Sequence, residues 1–425
     1  MSNKPEPSPG PRLKMEFDMG LNQTKKQKII SLALNFIKNL MAYALPVAVL
    51  QFIIQPGIAD KVGPEKNGLI ATIMALNYFV TSVTAGIIMQ TRLLQNEKYE
   101  KEGLVGDYSI ILTTMAVVNS TVMTVGTWLY MGASANPMDI AFCVILGLLF
   151  LIHDYVVVQY RIELNFTKIL ISNIVLCVGY AVGILVFWLA VPQWQIVYII
   201  AYGICEIYDL SNTSCCREPF RRTKLFTETL KKYAVLAGAN LLSYLVSYGD
   251  RLILYPLTDG TSVTILTCAE IMGKMLMLLS TPLTGFLLSY MVKEDKISLK
   301  IGAKYWLLII TGLGVCYGLC YLVSIPLLYL LYPDWAHLSM QYVAFTTLNS
   351  LIQLIAHVAN VIVVRFCKSR WQVVINGAYL AIYLVMSLTL LYFFGLMGFV
   401  IGNIIASVAK LAIIAIIAKT NIKSA

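Results

Sequence analysis

The feature that most constrains this chain is a short basic segment that separates two long apolar stretches. The segment from Cys215 to Lys232 reads CCREPFRRTKLFTETLKK, with six Lys or Arg residues against two Glu. Because Lys and Arg beside membrane spans resist translocation, this segment is predicted to be cytoplasmic. Each flanking stretch has room for six membrane helices of about 20 residues. Six helices per stretch give both halves the same orientation, as in membrane proteins built from two parallel repeats.

The predicted fold class is therefore an all-α polytopic membrane protein with twelve transmembrane helices in two six-helix lobes. The predicted spans are, approximately, 29–55, 69–89, 109–130, 138–160, 169–190, 195–210, 233–255, 264–291, 306–331, 338–364, 371–393 and 397–418. The predicted domains are a disordered cytoplasmic tail 1–28, an N-terminal lobe 29–213, a basic cytoplasmic linker 214–232, a C-terminal lobe 233–419 and a cytoplasmic tail 420–425.

The distribution of positive charge supports this topology. Of the 32 Lys and Arg residues, only Lys61 and Lys66 fall in predicted external segments and four fall within spans. Both termini are therefore predicted to be cytoplasmic. The chain is 58% apolar and 13% charged, whereas soluble domains carry about 25% charged residues. The net charge of +10 is explained by cytoplasmic loops that face anionic membrane lipids, and no nucleic-acid partner is predicted.

Sequence motifs give no indication of catalysis. The chain contains no Walker A motif, no HExxH, no GxSxG and no run of Cys and His at metal-ligand spacing, and it has three His in all. We therefore predict that the protein is not an enzyme and holds no metal or cofactor. Coupling to H⁺ or Na⁺ is left open by acidic residues inside the spans.

Ionisable residues within spans are costly and usually face a cavity or a partner, so they are the candidate site residues. Lys38 in the first span shares a helix face with Asn35 and Asn39. It is either a cavity cation or a side chain that reaches back to the membrane surface. Lys274 is predicted near mid-membrane, one turn after Glu270. The two either neutralise each other or line a cavity, where Lys274 is released to an anionic substrate.

Five further ionisable residues are candidates for ion coupling or for gating. Asp250 and Arg251 are adjacent near the outer end of the seventh span. Because neighbouring residues diverge by about 100° on a helix, we predict that they do not face the same cavity. Lys410 in the last span either reaches the surface or serves a gate. Asp154 and Glu206 lie towards the cytoplasmic ends of their spans.

The tenth span carries a polar stripe. Its members are spaced i, i+4, i+8 and i+11, so they share one helix face: Asn349, Gln353, His357 and Asn360. The stripe either forms hydrogen bonds between helices or is a cavity wall that binds sugar hydroxyls. With Lys38 in one half and Lys274 in the other, the sequence predicts a cavity between the halves that binds a phosphate or diphosphate.

The order and spacing of several motifs resemble the Wzx-type oligosaccharide flippases, a polysaccharide transport family of the multidrug/oligosaccharidyl-lipid/polysaccharide exporter superfamily. The first motif is the turn VGPEKNG at residues 62–68, which is similar to an LGPEEFG-like segment of that family. The second runs from Tyr233 to Met291 and includes Asp250-Arg251 and Pro282. The Tyr332-Pro333 turn also fits. The resemblance covers nearly the full length of the chain.

The resemblance implies two lobes in a V shape, in a bacterial inner membrane, that move a polyprenyl-diphosphate-linked oligosaccharide such as an O-antigen or capsule unit to the external leaflet by alternating access. A related lipid II flippase uses cavity cations on its first and eighth spans, where this chain has Lys38 and Lys274. Membrane lipids, a polysaccharide polymerase and other assembly proteins are the implied partners.

Two other functions remain as alternatives. A cation-coupled drug or metabolite antiporter of the same superfamily should carry carboxylates in the core of the first half, whereas this chain has Lys38 in its first span. A membrane glycan polymerase or ligase typically has a large external loop, whereas the longest predicted external link runs only from Pro56 to Gly68.

Overall fold

The structure is a computed structural model that describes residues 38, 40–280, 283, 284, 287, 303–367 and 370–422, with only the backbone described for 303–310. The predicted tail 1–28 and the candidate residues Asn35 and Asn39 lie outside this set. Within it the chain is helical apart from short connections, and no strand occurs.

Twelve helices are found in the described part of the chain, one at each predicted span, so the predicted fold class is confirmed. We label them α1 (Leu40–Val62), α2 (Pro64–Glu102), α3 (Asp107–Met131), α4 (Pro137–Ile162), α5 (Phe166–Leu189), α6 (Gln195–Asn212), α7 (Phe226–Leu257), α8 (Gly260–Ala269 with Ile271–Leu278, bent by 50°), α9 (Ala303–Leu331), α10 (Ala336–Phe366), α11 (370–394) and α12 (396–422).

Most of these helices are long and apolar enough to cross a membrane. By length and hydropathy eight helices in the described residues qualify, or nine when the bent α8 is taken as one span. That count treats α11 and α12 as one helix, although Gly395 between them has a φ of 62° that only glycine adopts readily. Helices α6 and α7 fall outside the count because carboxylates and amides lower their mean hydropathy.

Local sequence sets where several helices begin. The Asn136 side chain accepts a hydrogen bond from the Met138 amide at the start of α4, and Asn165 accepts one from the Lys168 amide at the start of α5. At α8 the Asp259 carboxylate accepts from the Ser262 amide at 2.6 Å. Such N-caps satisfy backbone donors that have no partner within the helix.

The two halves touch closely at the end that the charge distribution predicts to be external. A Cβ added to Gly68 of α2 would lie 1.9 Å from the carbonyl oxygen of Gly260 of α8, so only glycine permits this approach. The Glu65 carboxylate accepts hydrogen bonds from the Gly260 and Thr261 amides at 3.2 and 3.1 Å. The Thr264 hydroxyl donates to the Pro64 carbonyl at 2.6 Å. We call this contact the α2–α8 clasp.

Helix α7 also packs against the first half. A π-helical turn at Ser82–Gly86 interrupts α2, and the Tyr233 hydroxyl donates to the carbonyl of Val83 inside that turn at 3.1 Å. Farther along, the rings of Tyr78 and Tyr248 stack with centroids 6.0 Å apart. The seventh helix therefore joins the halves along its length.

The basic segment after α6 is bound to the first half. Asp107 accepts hydrogen bonds from the amide and hydroxyl of Thr223 at 2.7 and 2.5 Å. Arg92 donates to both the Tyr155 hydroxyl and the Glu218 carboxylate. Helix α7 begins at Phe226, inside the predicted linker, because Leu225 and Phe226 pack on the apolar cluster at this end of the first half.

Candidate functional site

A cavity of about 980 Å³ lies within the second half of the protein. Its walls come from α7, α8, α10, α11 and α12, and every lining residue falls between Ala239 and Lys410. The sequence predicted a cavity between the two halves instead. None of the described residues that line it belongs to the first half.

Ionisable side chains from three helices line this cavity, and among the described residues there is one more cation than there are carboxylates. The cations are Arg251, Lys274 and Lys410, and the carboxylates are Asp250 and Glu270. Because protein walls lower the effective dielectric constant below that of bulk water, unbalanced positive charge attracts an anion more strongly here than it would in bulk water.

Arg251 is the centre of the charged group. Its Nη2 lies 2.7 Å from Glu270 Oε2, its Nε donates to Thr267 Oγ1 at 3.2 Å, and its Nη1 lies 3.7 Å from Asp250 Oδ1. Lys274 Nζ is 3.8 Å from the same Glu270 oxygen. The predicted Glu270–Lys274 pair is therefore present, but Glu270 is bound more closely to Arg251.

Asp250 and Arg251 both line the cavity, so the prediction that they face different surroundings was wrong. The 100° divergence of adjacent Cα–Cβ bonds does not separate them, because the long Arg251 side chain reaches across to α8. Its guanidinium then returns to within 3.7 Å of Asp250. The angle between adjacent Cα–Cβ bonds predicts which surroundings a short side chain has, but it does not do so for a side chain as long as that of arginine.

All four residues of the predicted polar stripe on α10 line the cavity. Three of them also form hydrogen bonds to neighbouring helices. Asn349 accepts from Ser407 at 2.7 Å, and Gln353 donates to Tyr379 at 3.4 Å. Asn360 and Gln372 exchange two bonds, at 2.9 and 3.1 Å. The two interpretations of the stripe are thus compatible, since bonds between helices orient amides that still face the cavity.

Lys410 on α12 points into the cavity rather than to a membrane surface. Its Nζ lies 4.7 Å from the ring centroid of Tyr379, a cation–π distance. No carboxylate pairs with Lys410 in the part of the chain that the structure describes. Among the candidate gate residues, it is the cation best placed to meet an incoming anion.

Lys38 lies apart from this cavity. Its Nζ donates to the Thr167 hydroxyl at 3.1 Å, between α1 and α5 of the first half. The structure therefore does not bring Lys38 and Lys274 together.

Asp154 and Glu206 are also in the first half. Asp154 lines a second, smaller cavity of about 230 Å³ together with Gln90, Arg161 and Tyr244. Glu206 is buried behind it, with its Oε1 3.2 Å from Nδ1 of His153.

Sequence reasoning missed several amides that line the large cavity. These are Asn240, Gln372, Asn376 and Asn403. They form shorter polar runs than the four-residue stripe on α10; Gln372 and Asn376, for example, are a single i, i+4 pair on α11. The Asn376 side chain donates to the Ser243 hydroxyl of α7 at 2.9 Å, which holds α11 against α7.

Solved structures of membrane transporters have a fold similar to that of this chain. No protein-family model matches the chain, and no curated protein sequence does. An inward-facing multidrug resistance MATE family transporter of the MOP superfamily is similar, with a TM-score of 0.68 at 12% identity over 91% of this chain and 99% of that one. The outward-facing form of a MATE family transporter gives 0.57 at 12% identity, over 92% of this chain and 94% of that one.

The lipid II flippase MurJ, in an inward closed conformation, is also similar. Its TM-score is 0.62 at 12% identity, over 91% of this chain and 86% of that one. The chain is therefore a multi-pass membrane protein with the fold of the MOP-superfamily transporters.

Proposed function

We propose that the protein is a flippase that moves a polyprenyl-diphosphate-linked oligosaccharide from the cytoplasmic to the external leaflet by alternating access. The observation that carries the proposal is the large cavity of the second half, which combines a surplus cation with seven amide side chains. The coupling ion, H⁺ or Na⁺, and placement in a bacterial inner membrane with both termini cytoplasmic belong to the same proposal.

The cations suit a diphosphate. Lys410 has a ring as its neighbour and Lys274 has a carboxylate at 3.8 Å, so both ammonium groups have donors left for a ligand. Charge-assisted hydrogen bonds to phosphate oxygens are the strong class. Arg251 instead has a structural role, because its ion pair with Glu270 at 2.7 Å joins α7 to α8 in the wall of the cavity.

The amides suit sugars. Asn and Gln side chains carry both donors and acceptors, as sugar hydroxyls do. A volume of about 980 Å³ is at the upper end of the roughly 300–1,000 Å³ typical of ligand pockets. The cavity has room for a head group of a few sugars, while a polyprenyl tail would stay in the lipid.

The similar structures include proteins with each of the two competing functions, lipid flipping and drug export. MurJ is a lipid II flippase, and the similar MATE protein is a multidrug resistance transporter. A cavity for cationic drugs would carry a surplus of carboxylates, whereas this one has three cations against two carboxylates. The antiporter is therefore the second candidate. A glycan polymerase is disfavoured because the described connections at the predicted external end are all short.

The test uses farnesyl diphosphate as a short lipid diphosphate, added to the purified protein in detergent. We expect it to raise the melting temperature of the wild type, and farnesol, which lacks the diphosphate, to have no effect. Lys274→Ala and Lys410→Ala should each reduce the apparent affinity by roughly tenfold or more, since each loses a charge-assisted bond. Lys38→Ala is the matched control and should bind as the wild type does.

Equal stabilisation by farnesol would mean that the lipid chain alone is bound, and would contradict the proposal. Stabilisation by tetraphenylphosphonium, a cationic drug, with none by farnesyl diphosphate would favour the antiporter.

A further inference from the structure

A buried cluster in the first half brings together four side chains of types that bind metals. His153 comes from α4, and Cys205, Glu206 and Asp209 come from α6. Nδ1 of His153 lies 3.2 Å from Glu206 Oε1, 3.5 Å from Asp209 Oδ2 and 3.8 Å from Cys205 Sγ. Cys205 Sγ is 3.5 Å from Asp209 Oδ2, since the two residues are one turn apart on α6. We call this group the His153–Asp209 cluster.

These separations match those of ligands around a tetrahedral metal ion. Zinc binds nitrogen and oxygen at about 2.0–2.2 Å and sulfur at about 2.3 Å, so ligand atoms at the corners of a tetrahedron lie roughly 3.3–3.7 Å apart. The nitrogen, sulfur and Asp209 oxygen form a triangle with edges of 3.5, 3.5 and 3.8 Å. Small side-chain rotations would seat an ion among them.

Hydrogen bonds within the cluster do not satisfy all of its groups. Glu206 is only 4% exposed, and its Oε2 is buried without a hydrogen-bond partner. Among the described residues, neither Glu206 nor Asp209 pairs with a Lys or Arg. Two buried carboxylates beside one imidazole lack positive charge, which is unfavourable away from water.

The surroundings of the cluster would orient the ligands and give access to them. Asp209 accepts hydrogen bonds from the Ser172 and Tyr160 hydroxyls at 2.8 and 3.1 Å, as outer partners of metal-binding carboxylates do. His153 also lines the cavity of about 230 Å³, through which an ion could reach the cluster.

We infer that the His153–Asp209 cluster is a binding site for a divalent metal of the zinc type. His153, Cys205 and Asp209 would bind the ion and Glu206 would supply the fourth position. A thiolate among the ligands favours zinc-like metals over magnesium or calcium. The site would fasten α4 to α6, and it is independent of the substrate cavity in the second half.

The first test titrates the chelator-treated full-length protein with CoCl₂ and records its absorption spectrum. We expect one Co²⁺ per chain, with a thiolate-to-cobalt charge-transfer band that ZnCl₂ removes by displacement. Cys205→Ser should lose the band, and Asp209→Asn should weaken Co²⁺ binding by about tenfold or more. Cys143→Ser, a buried thiol of α4 outside the cluster, should keep the band, and so should Cys216→Ser, an exposed thiol.

A second measurement does not depend on how the variants fold. Zinc X-ray absorption of the wild-type protein should show one sulfur ligand at about 2.3 Å with the rest nitrogen or oxygen. Absence of stoichiometric Co²⁺ binding would overturn the inference, and the cluster would then be a hydrogen-bond network that binds no metal. A band that survives Cys205→Ser, or a zinc shell without sulfur, would overturn it as well.

Discussion

The α2–α8 clasp gives the sharpest prediction, because a single methyl group is enough to break it. The Cβ of Gly68→Ala would lie 1.9 Å from the Gly260 carbonyl oxygen and 2.5 Å from its Cα. Both neighbours are backbone atoms and cannot rotate away. The helices must separate by about 1 Å, which breaks the bond from Asn67 to Thr264 and the bond from Thr264 to Pro64.

Each of these two bonds is worth about 1 kcal/mol, so the closed contact loses roughly 2 kcal/mol. Since 1.4 kcal/mol is a factor of ten, the open form at this end should rise about thirtyfold. Hydrogen exchange measured by mass spectrometry on the peptide that contains Gly260 and Thr261 reports this opening, because both amides donate to Glu65.

Gly260→Ala should act in the same way, since its Cβ would lie 2.0 Å from the Glu65 carbonyl oxygen. Gly203→Ala in α6 is the matched control, because nothing lies within 4 Å of the added methyl group. Exchange at Thr261 that is unchanged in both clasp variants would refute the reasoning. A rise in all three variants would mean general loosening of the fold rather than opening of the clasp.

Three further predictions concern a cavity cation, a partly buried ion pair and the membrane topology. Lys274→Glu should reduce lipid-diphosphate transport in vesicles at least about tenfold while Lys274→Arg retains it, since only the former removes the positive charge; normal transport by the Glu variant would exclude an anion-binding role. Arg92→Ala should destabilise the protein by about 2–3 kcal/mol, seen as a lower melting temperature, because it leaves a partly buried carboxylate unpaired. Lys101→Ala, which removes an exposed ion pair with Glu97, should leave the melting temperature unchanged, and equal effects of the two variants would mean that burial is irrelevant here. A cytoplasm-active reporter fused after Lys232 should be active and one after Gly260 inactive; activity at Gly260 would overturn the topology.

The helices were predictable from sequence because membrane spans are specified by local composition. A run of about twenty apolar residues is enough to predict a membrane span without knowledge of its neighbours. The positive charges at its ends predict its orientation in the membrane. The start of α7 was not predictable in this way. Thr229, fully buried, shares a 2.7 Å hydrogen bond with Tyr99 of α2, a contact 130 residues away in sequence that extends the helix into the basic segment.

The site was predictable only where one helix carries it. The stripe on α10 follows from a helical period within a single span, and all of it faces the cavity. The bond from Arg251 to Glu270 depends on how α7 packs beside α8, and no pattern in either span indicates it. The approach of His153 to Cys205 was not predictable for the same reason, since the histidine and the thiol lie 52 residues apart in sequence.

The separation of Lys38 from Lys274 changes what the cations can do. If both bound one diphosphate, each lobe would hold part of the substrate and the lobes would have to part for release. Because Lys274 and Lys410 lie on α8 and α12, the proposed anion site is confined to the second half. In the proposed transport cycle, binding and lobe movement would then be separate steps, with the substrate held by the second half while the α2–α8 clasp opens and closes. A ligand shifts such an equilibrium only by binding one state better than the other. Under this proposal, the two states would differ in affinity through the groups that contact the substrate at the open side of the cavity, since Lys274 and Lys410 would move together with the second half.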